Sequence, residues 1–386
     1  MYPRLVAGKI QKTTKSVLLL GPRQTGKSTL VTGLNPDLSI NLAFEQVFLD
    51  YSAQPDLIEK VIRRQQPKTI FIDEVQRIPS LLNTVQGILD ENPRKYRFYL
   101  TGSSARKLKR GKANLLPGRV VQYQLGPLIH DELRDDLDPD EAVAFGTLPG
   151  VVTEKDNGVR EELLRTYAST YLKEEIQAEA LTREIEGFAR FLFVAASKSG
   201  EFLDFSKMGS QAAITQKTSS RFFEILEDTL IVNRINAYAA NETGRLVRHP
   251  KFYFFDNGVL NGLLKNFTVS EDRRGFLFEH FIVNQIISAN FIFGEPARLS
   301  TYRTEAGSEV DLIAEKGGNT LAIEIKSGAR VSFGDFSGLK SFSALRRGPG
   351  TRTQMLLYSG NKAYKEDDVA VLPWRQGLSE ISDFLR

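Results

Sequence analysis

Cysteine is absent from this 386-residue chain, which excludes disulfides and thiolate metal sites and agrees with a cytosolic home. Histidine is nearly as scarce: His130, His249 and His280 stand far apart in sequence, which argues against histidine-based zinc chemistry. No apolar run approaches the length of a membrane span, and no signal-peptide pattern opens the chain. A cytoplasmic protein with no membrane partner is therefore expected. Neither sign of charge dominates, since 51 Lys and Arg against 47 Asp and Glu leave +4. That balance permits a nucleic-acid partner without requiring one. What remains is ordinary globular composition, 41% hydrophobic and 25% charged, in a chain too long for one compact core.

The sharpest pattern is Gly21-Pro22-Arg23-Gln24-Thr25-Gly26-Lys27-Ser28, which satisfies G-x-x-x-x-G-K-[ST]. It follows the apolar run Ser16–Leu20 and opens a helix at Thr29-Leu30-Val31. Glycines at these places let backbone N–H groups turn inward around a phosphate, and the helix N-terminus adds partial positive charge. Lys27 is expected on the β/γ-phosphates, the Ser28 hydroxyl on magnesium, and residues 21–29 around the nucleotide. The ligands implied are ATP and Mg²⁺.

Lys68-Thr-Ile-Phe-Ile-Asp-Glu74 reads as a buried parallel strand ending in two carboxylates. Asp73 is expected to hold magnesium through water, and Glu74 to polarise the water that attacks the γ-phosphate. A further strand, Tyr96–Leu100, closes on Thr101-Gly102-Ser103-Ser104, where Ser103 is the first choice for a γ-phosphate sensor. Past it, Leu115-Leu116-Pro117-Gly118-Arg119 offers Arg119. That arginine either stabilises transferred-phosphate charge, in its own subunit or a neighbour's, or forms a surface ion pair.

Residues 1–140 alternate short strands and helices, with strands expected near 17–21, 46–50, 69–73, 97–101 and 119–124. A helical linker or lid is expected over 141–185, with a helix from Arg160 to Ala180. Over 186–262, three helices and a strand pair describe a winged helix. Its third helix begins with polar residues, among them Lys217 and Arg221, as a major-groove reader would. Packing or protein contact is the competing use of that module.

The last segment, 263–386, carries a second constellation. Glu309–Glu315 and Thr320–Lys326 alternate as strands, joined by Lys316-Gly317-Gly318-Asn319. If Glu315 pairs with Thr320, Asp311 falls opposite Glu324 with Cβ atoms ~5 Å apart, and Lys326 shares their face. Glu279 is almost the only acid in the apolar helix Gly275–Ala289 and would complete a divalent-metal shell with them. Lys326 would then act on the attacking water or on phosphate charge.

Taken together, Gly21–Ser28, Phe71-Ile-Asp-Glu-Val-Gln76, Leu100-Thr-Gly-Ser-Ser104 and Leu116-Pro-Gly-Arg119 resemble the AAA+ (P-loop) ATPases of the AAA_14 type. Those proteins carry a C-terminal domain of unknown function, DUF4143, to which Phe278-Glu279, Tyr302-Arg-Thr304, Glu309-Val-Asp311 and Glu324-Ile-Lys-Ser-Gly328 are similar. The resemblance implies a P-loop NTPase parallel sheet, a winged helix, and a C-terminal α/β domain of PD-(D/E)xK nuclease-like fold. It implies an ATPase coupled to a domain that cuts or binds DNA. The alternative is a non-catalytic ATP-dependent switch or adaptor acting on DNA, a protein partner or a second copy of itself.

Overall fold

The computed structural model describes residues 2–103, 116, 118–171, 185–238, 249–293, 295–345 and 350–386. Ser104, Leu115, Pro117 and the 172–180 part of the expected helix lie outside these. Two sheets organise the chain. The first is parallel and five-stranded: β1 (Ser16–Leu20), β2 (Leu38–Asn41), β3 (Thr69–Asp73), β4 (Arg97–Gly102) and β5 (Val120–Gln124), in the order β2-β3-β4-β1-β5. Side chains alternate across a strand, so each strand serves two cores. Leu18, Leu20, Ile70, Ile72, Phe98 and Leu100 pack on one face against Ile58 and Ile62 of the helix Leu57–Gln65 and Val85 of the helix Leu81–Glu91. Val17, Leu19, Phe71 and Tyr99 meet Val6 and Ile10 of the helix Leu5–Lys12, and Leu30 and Val31 of the helix Lys27–Thr32, on the other.

Four of the five expected strands stand where the sequence put them; the one near 46–50 does not. Val47-Phe48-Leu49 belongs to the helix Glu45–Ala53, which lies at the surface with Leu49 52% exposed. The strand is β2, an edge strand whose only buried residue is Ile40.

The second sheet has eight strands: β6 (Val232–Ala237), β7 (Lys251–Phe254), β8 (Arg298–Arg303), β9 (Glu309–Lys316), β10 (Asn319–Lys326), β11 (Arg352–Tyr358), β12 (Tyr364–Glu366) and β13 (Val369–Pro373), in the order β12-β13-β11-β10-β9-β8-β6-β7. Three helices, Ile185–Ser197, Phe205–Gln211 and Gln216–Asp228, precede the β6–β7 pair, in the element order expected for a winged helix. Yet β6 also pairs in parallel with β8 through Asn236–Ser300 and Ala237–Thr301. The sheet therefore runs through the boundary drawn at 262/263.

Residues 139–166 are not a linker either. Their short helices Pro139–Phe145, Pro149–Thr153 and Asn157–Thr166 bury Val143, Phe145, Val151 and Leu164. These side chains share one apolar cluster with the three-helix segment, the long helix Glu271–Ile292 and the terminal helix Trp374–Leu385. Apolar faces of that size must be covered, and covering them fuses the expected lid into the core.

Candidate functional site

The loop after β1 has the geometry its glycines demand. Gly26 sits at φ 88° immediately before the helix, a left-handed conformation that side chains resist. A Cβ at position 21 would collide with the Leu125 carbonyl oxygen. Lys27 is 5% exposed and donates to the carbonyls of Gly21 and Pro22, both at 2.8 Å, so its ammonium lies inside the loop.

Because β4 lies between β1 and β3, the end of β4 meets both carboxylate and loop. The Ser28 hydroxyl donates to Asp73 Oδ1 at 2.9 Å, and Thr101 Oγ1 donates to the same oxygen. Thr101 Oγ1 also accepts the Glu74 N–H at 3.2 Å. A hydroxyl beside a carboxylate is a hard oxygen donor set that fits magnesium. Ser28 and Asp73 would hold the ion, which neutralises phosphate charge when bound.

Glu74 turns away from the strand at φ 59°. Its Oε2 accepts from Gln76 Nε2, which also donates to Ser103 Oγ at 3.0 Å. The expected base and the expected sensor are thus tied to one amide. Gln76 is buried, and its role was not legible in the sequence, where it reads only as the residue two past the carboxylates.

Arg119 does not join this group. Val120, which follows it, pairs with Ser16 at the start of β1, whereas the loop follows Leu20 at the other end. At ~3.3 Å per residue that is about a strand's length away. Arg119 forms a two-point ion pair with Asp90, at 2.5 and 2.9 Å. A role in its own subunit's phosphate site is not supported; only a neighbouring copy could bring it to a phosphate.

Beside the loop lies a cavity of about 450 Å³, mainly apolar. Tyr2, Ala7, Leu30, Leu34, Leu128, Pro149 and Thr153 line it, so two segments far apart in sequence enclose it against the loop helix. Arg4 anchors the junction. Its guanidinium donates to the Thr25 carbonyl at 2.6 Å and the Gly126 carbonyl at 2.9 Å, and pairs with buried Glu132 at 3.1 Å. The same turn is held from the far side by Gln285 of the long helix, which accepts from His130 N–H at 2.6 Å and donates to the Leu128 carbonyl at 3.2 Å.

In the C-terminal sheet Glu315 does pair with Thr320, the register that sets Asp311 opposite Glu324. The connection is tighter than the expected four residues. Lys316 pairs with Asn319, leaving Gly317 and Gly318, both at positive φ, as a two-residue turn.

Asp311 and Glu324 are buried, not on a solvated face. Burial, then Glu279 and Glu324, raise the Asp311 pKa well above the carboxylate range. Burial, with Glu279 and Glu309 adding and Lys326 opposing, pushes Glu324 up to about 7. Asp311 Oδ2 accepts the Ile325 N–H at 2.8 Å, and Lys326 donates to Glu324 Oε1 at 2.7 Å.

Glu279 has further partners. Its Oε1 takes Tyr253 OH at 2.9 Å and faces the Lys251 ammonium at 3.5 Å, while Lys251 pairs with Glu309 at 2.5 Å. Among the described residues no three Asp, Glu or His side chains form a group that could hold a metal ion. Glu279, Asp311 and Glu324, the acids expected in a metal shell, gather closely enough to act on one another's charge, and Lys251 and Glu309 are members of the cluster that spacing did not reveal.

Comparisons with known proteins divide the chain in three. Residues 13–134 match the AAA_14 family model, an AAA domain. Residues 137–270 and 274–376 match two domains of unknown function, DUF8612 and DUF4143. Uncharacterized proteins of Mycobacterium bovis and Mycobacterium tuberculosis are each 27% identical over 317 residues, spanning 80% of this chain and 70% of theirs. One from Haemophilus influenzae is 21% identical, spanning 80% of this chain and 81% of its own.

Among solved structures, the replication initiator DnaA bound to AMPPCP and single-stranded DNA aligns over 58% of this chain and 86% of its own, at 11% identity and TM-score 0.28. A Vibrio cholerae protein aligns over 96% and 97%, at 13% identity and TM-score 0.20. Neither likeness is near enough to bear on the site. The AAA match stands beside the loop geometry: the N-terminal part is an AAA-type, ATPase-like nucleotide-binding domain. No described helix is long and apolar enough to cross a membrane.

Proposed function

We propose that the chain binds and hydrolyses Mg²⁺-ATP at residues 21–28 and transmits the state of that site to a C-terminal domain that engages DNA. The observation that carries the first half is the Ser28–Asp73 hydrogen bond, with buried Lys27 inside the loop and Glu74 next along the chain. The base of the nucleotide belongs in the adjoining cavity, whose apolar walls suit a planar ring. Filling it with Ala7→Trp should weaken ATP about tenfold, roughly 1.4 kcal/mol, and leave inorganic triphosphate binding unchanged. Unchanged ATP affinity in calorimetry would remove the base from this cavity.

Transmission has a physical route. Pro149 and Thr153 close the cavity from the second region, and the turn at 126–132 is gripped by Arg4 on the loop side and by Gln285 on the other. The long helix that carries Gln285 also carries Glu279 of the C-terminal cluster. A ligand that tightens the loop thus acts on a helix shared with the second site. A hydrolysis role for Arg119 would require a second copy of the chain.

What supports DNA as partner is the helix Gln216–Asp228, capped by Thr215 and exposing Lys217 and Arg221 in its first turns. Replacing both by Ala should lower duplex affinity and reduce the slope of log K against log salt by about 1 per lost phosphate contact. Equal affinity at every salt concentration would leave this module to packing or protein contact. The same samples, given linear and supercoiled DNA with Mg²⁺ or Mn²⁺, test cleavage directly. Cutting by the wild type that Asp311→Ala abolishes would make the C-terminal domain a nuclease.

A further inference from the structure

The C-terminal cluster holds four carboxylates, of which Asp311 and Glu324 are buried and Glu279 and Glu309 are half-buried. Such a set needs cations. Lys326 serves Glu324. Another cation comes from outside the domain that supplies the acids: Lys251, on β7, 5% exposed, with Nζ 2.5 Å from Glu309 Oε1 and 3.5 Å from Glu279 Oε1.

We infer that Lys251 is the resident cation of this cluster, its ammonium standing between Glu279 and Glu309 where a divalent ion would otherwise bridge them, so that the cluster folds and takes its ligand without a metal there.

Three observations carry this. The site around Nζ is built: Tyr253, two residues along β7, fixes Glu279 through its hydroxyl at 2.9 Å, and the Phe202 ring closes over the ammonium at 5.4 Å. Arg303 pairs with Glu309 at 3.5 Å from the other side and stacks on the same ring at 5.0 Å, so Glu309 is shared between two cations. Finally, Glu324, whose Oε1 Lys326 serves, keeps Oε2 buried with no hydrogen-bond partner among the described residues, so the cluster is rich in acceptors. Burial alone would lower the Lys251 pKa, but Glu279, Asp311 and Glu309 override it and hold the group charged.

The inference is independent of the ATP site, and its test is made in full-length protein carrying Ser28→Ala, so that metal at the phosphate loop does not intrude. Mn²⁺ is the probe, read by electron paramagnetic resonance and by the melting temperature. The parent protein should bind no Mn²⁺ at the cluster. Lys251→Met should melt lower than its parent, bind one Mn²⁺ per chain, and recover melting temperature as Mn²⁺ is added. Glu309→Gln placed on Lys251→Met should remove that binding, whereas Lys251→Arg should bind none.

Mn²⁺ bound by the parent and lost in Asp311→Asn would overturn the inference, because the cluster would then hold a metal with Lys251 in place. A folded Lys251→Met that gains no Mn²⁺ would overturn it as well. If Lys251→Met folds only poorly, refolding with and without Mn²⁺ decides. Recovery of native circular dichroism by Mn²⁺ supports the inference, and no recovery overturns it.

Discussion

Glu74→Gln should bind ATP as the wild type does and turn it over slower by on the order of 10²-fold or more, the usual worth of a positioned general base. The amide keeps the size of the carboxylate, so the hydrogen-bonded Asp73 and Ser28, proposed to hold magnesium, are undisturbed. What is lost is the charge that polarises water. Gln76 would still reach position 74 through its amide, since a glutamine oxygen accepts as a carboxylate oxygen does. The measurement is single-turnover hydrolysis beside ATP affinity by calorimetry. Equal turnover would move the base elsewhere, and lost affinity would mean that Glu74 holds the nucleotide and does not act on water.

Arg4→Met should cost roughly 3–5 kcal/mol of stability, the range for breaking a buried ion pair from one side. Glu132 is fully buried, and without Arg4 it keeps only the Leu5 and Ile129 N–H groups. The Thr25 carbonyl also loses its donor, so the loop gives up an anchor on the side away from the phosphate. Nucleotide affinity should therefore fall with stability. Lysine should rescue poorly, because one ammonium cannot reach Thr25, Gly126 and Glu132 as a planar fork does. Urea titrations with and without ATP separate the two losses. A variant as stable as wild type would show that the backbone donors suffice for Glu132.

Both predictions rest on residues of very different legibility. Glu74 was visible because a parallel strand buried on both faces reads as an apolar run, and its end is marked by the first charges. The β9–β10 register was visible because strand alternation is local and a Gly-Gly turn leaves one pairing. Arg4 carried no such mark: its partners lie 21 to 128 residues away, and no local period encodes them.

Lys251 was hidden in the same way, inside a strand that pattern alone assigns to another module. Of the two uses named for Arg119, the ion pair is the one its place in the sheet presents, because a parallel strand begins at the opposite end of the sheet from where it finishes. The 46–50 stretch misled because three apolar residues in a row look buried, and there they are not. The carboxylates expected to share a metal do gather, but spacing says nothing of which cation meets them.

The continuity of the eight-stranded sheet has a practical and an evolutionary consequence. A protein cut near residue 270, where the family models part, would leave two raw edges. One is the end of β6 at Asn236 and Ala237, and the other is the stretch of β8 at Ser300 and Thr301 that pairs with it. Open edges of that kind recruit strands from other molecules, so the halves should be insoluble apart and soluble when produced together. For the same reason the two domains of unknown function are poorly suited to shuffling. A genome that kept DUF4143 without the hairpin before it would need some other strand to seal the sheet.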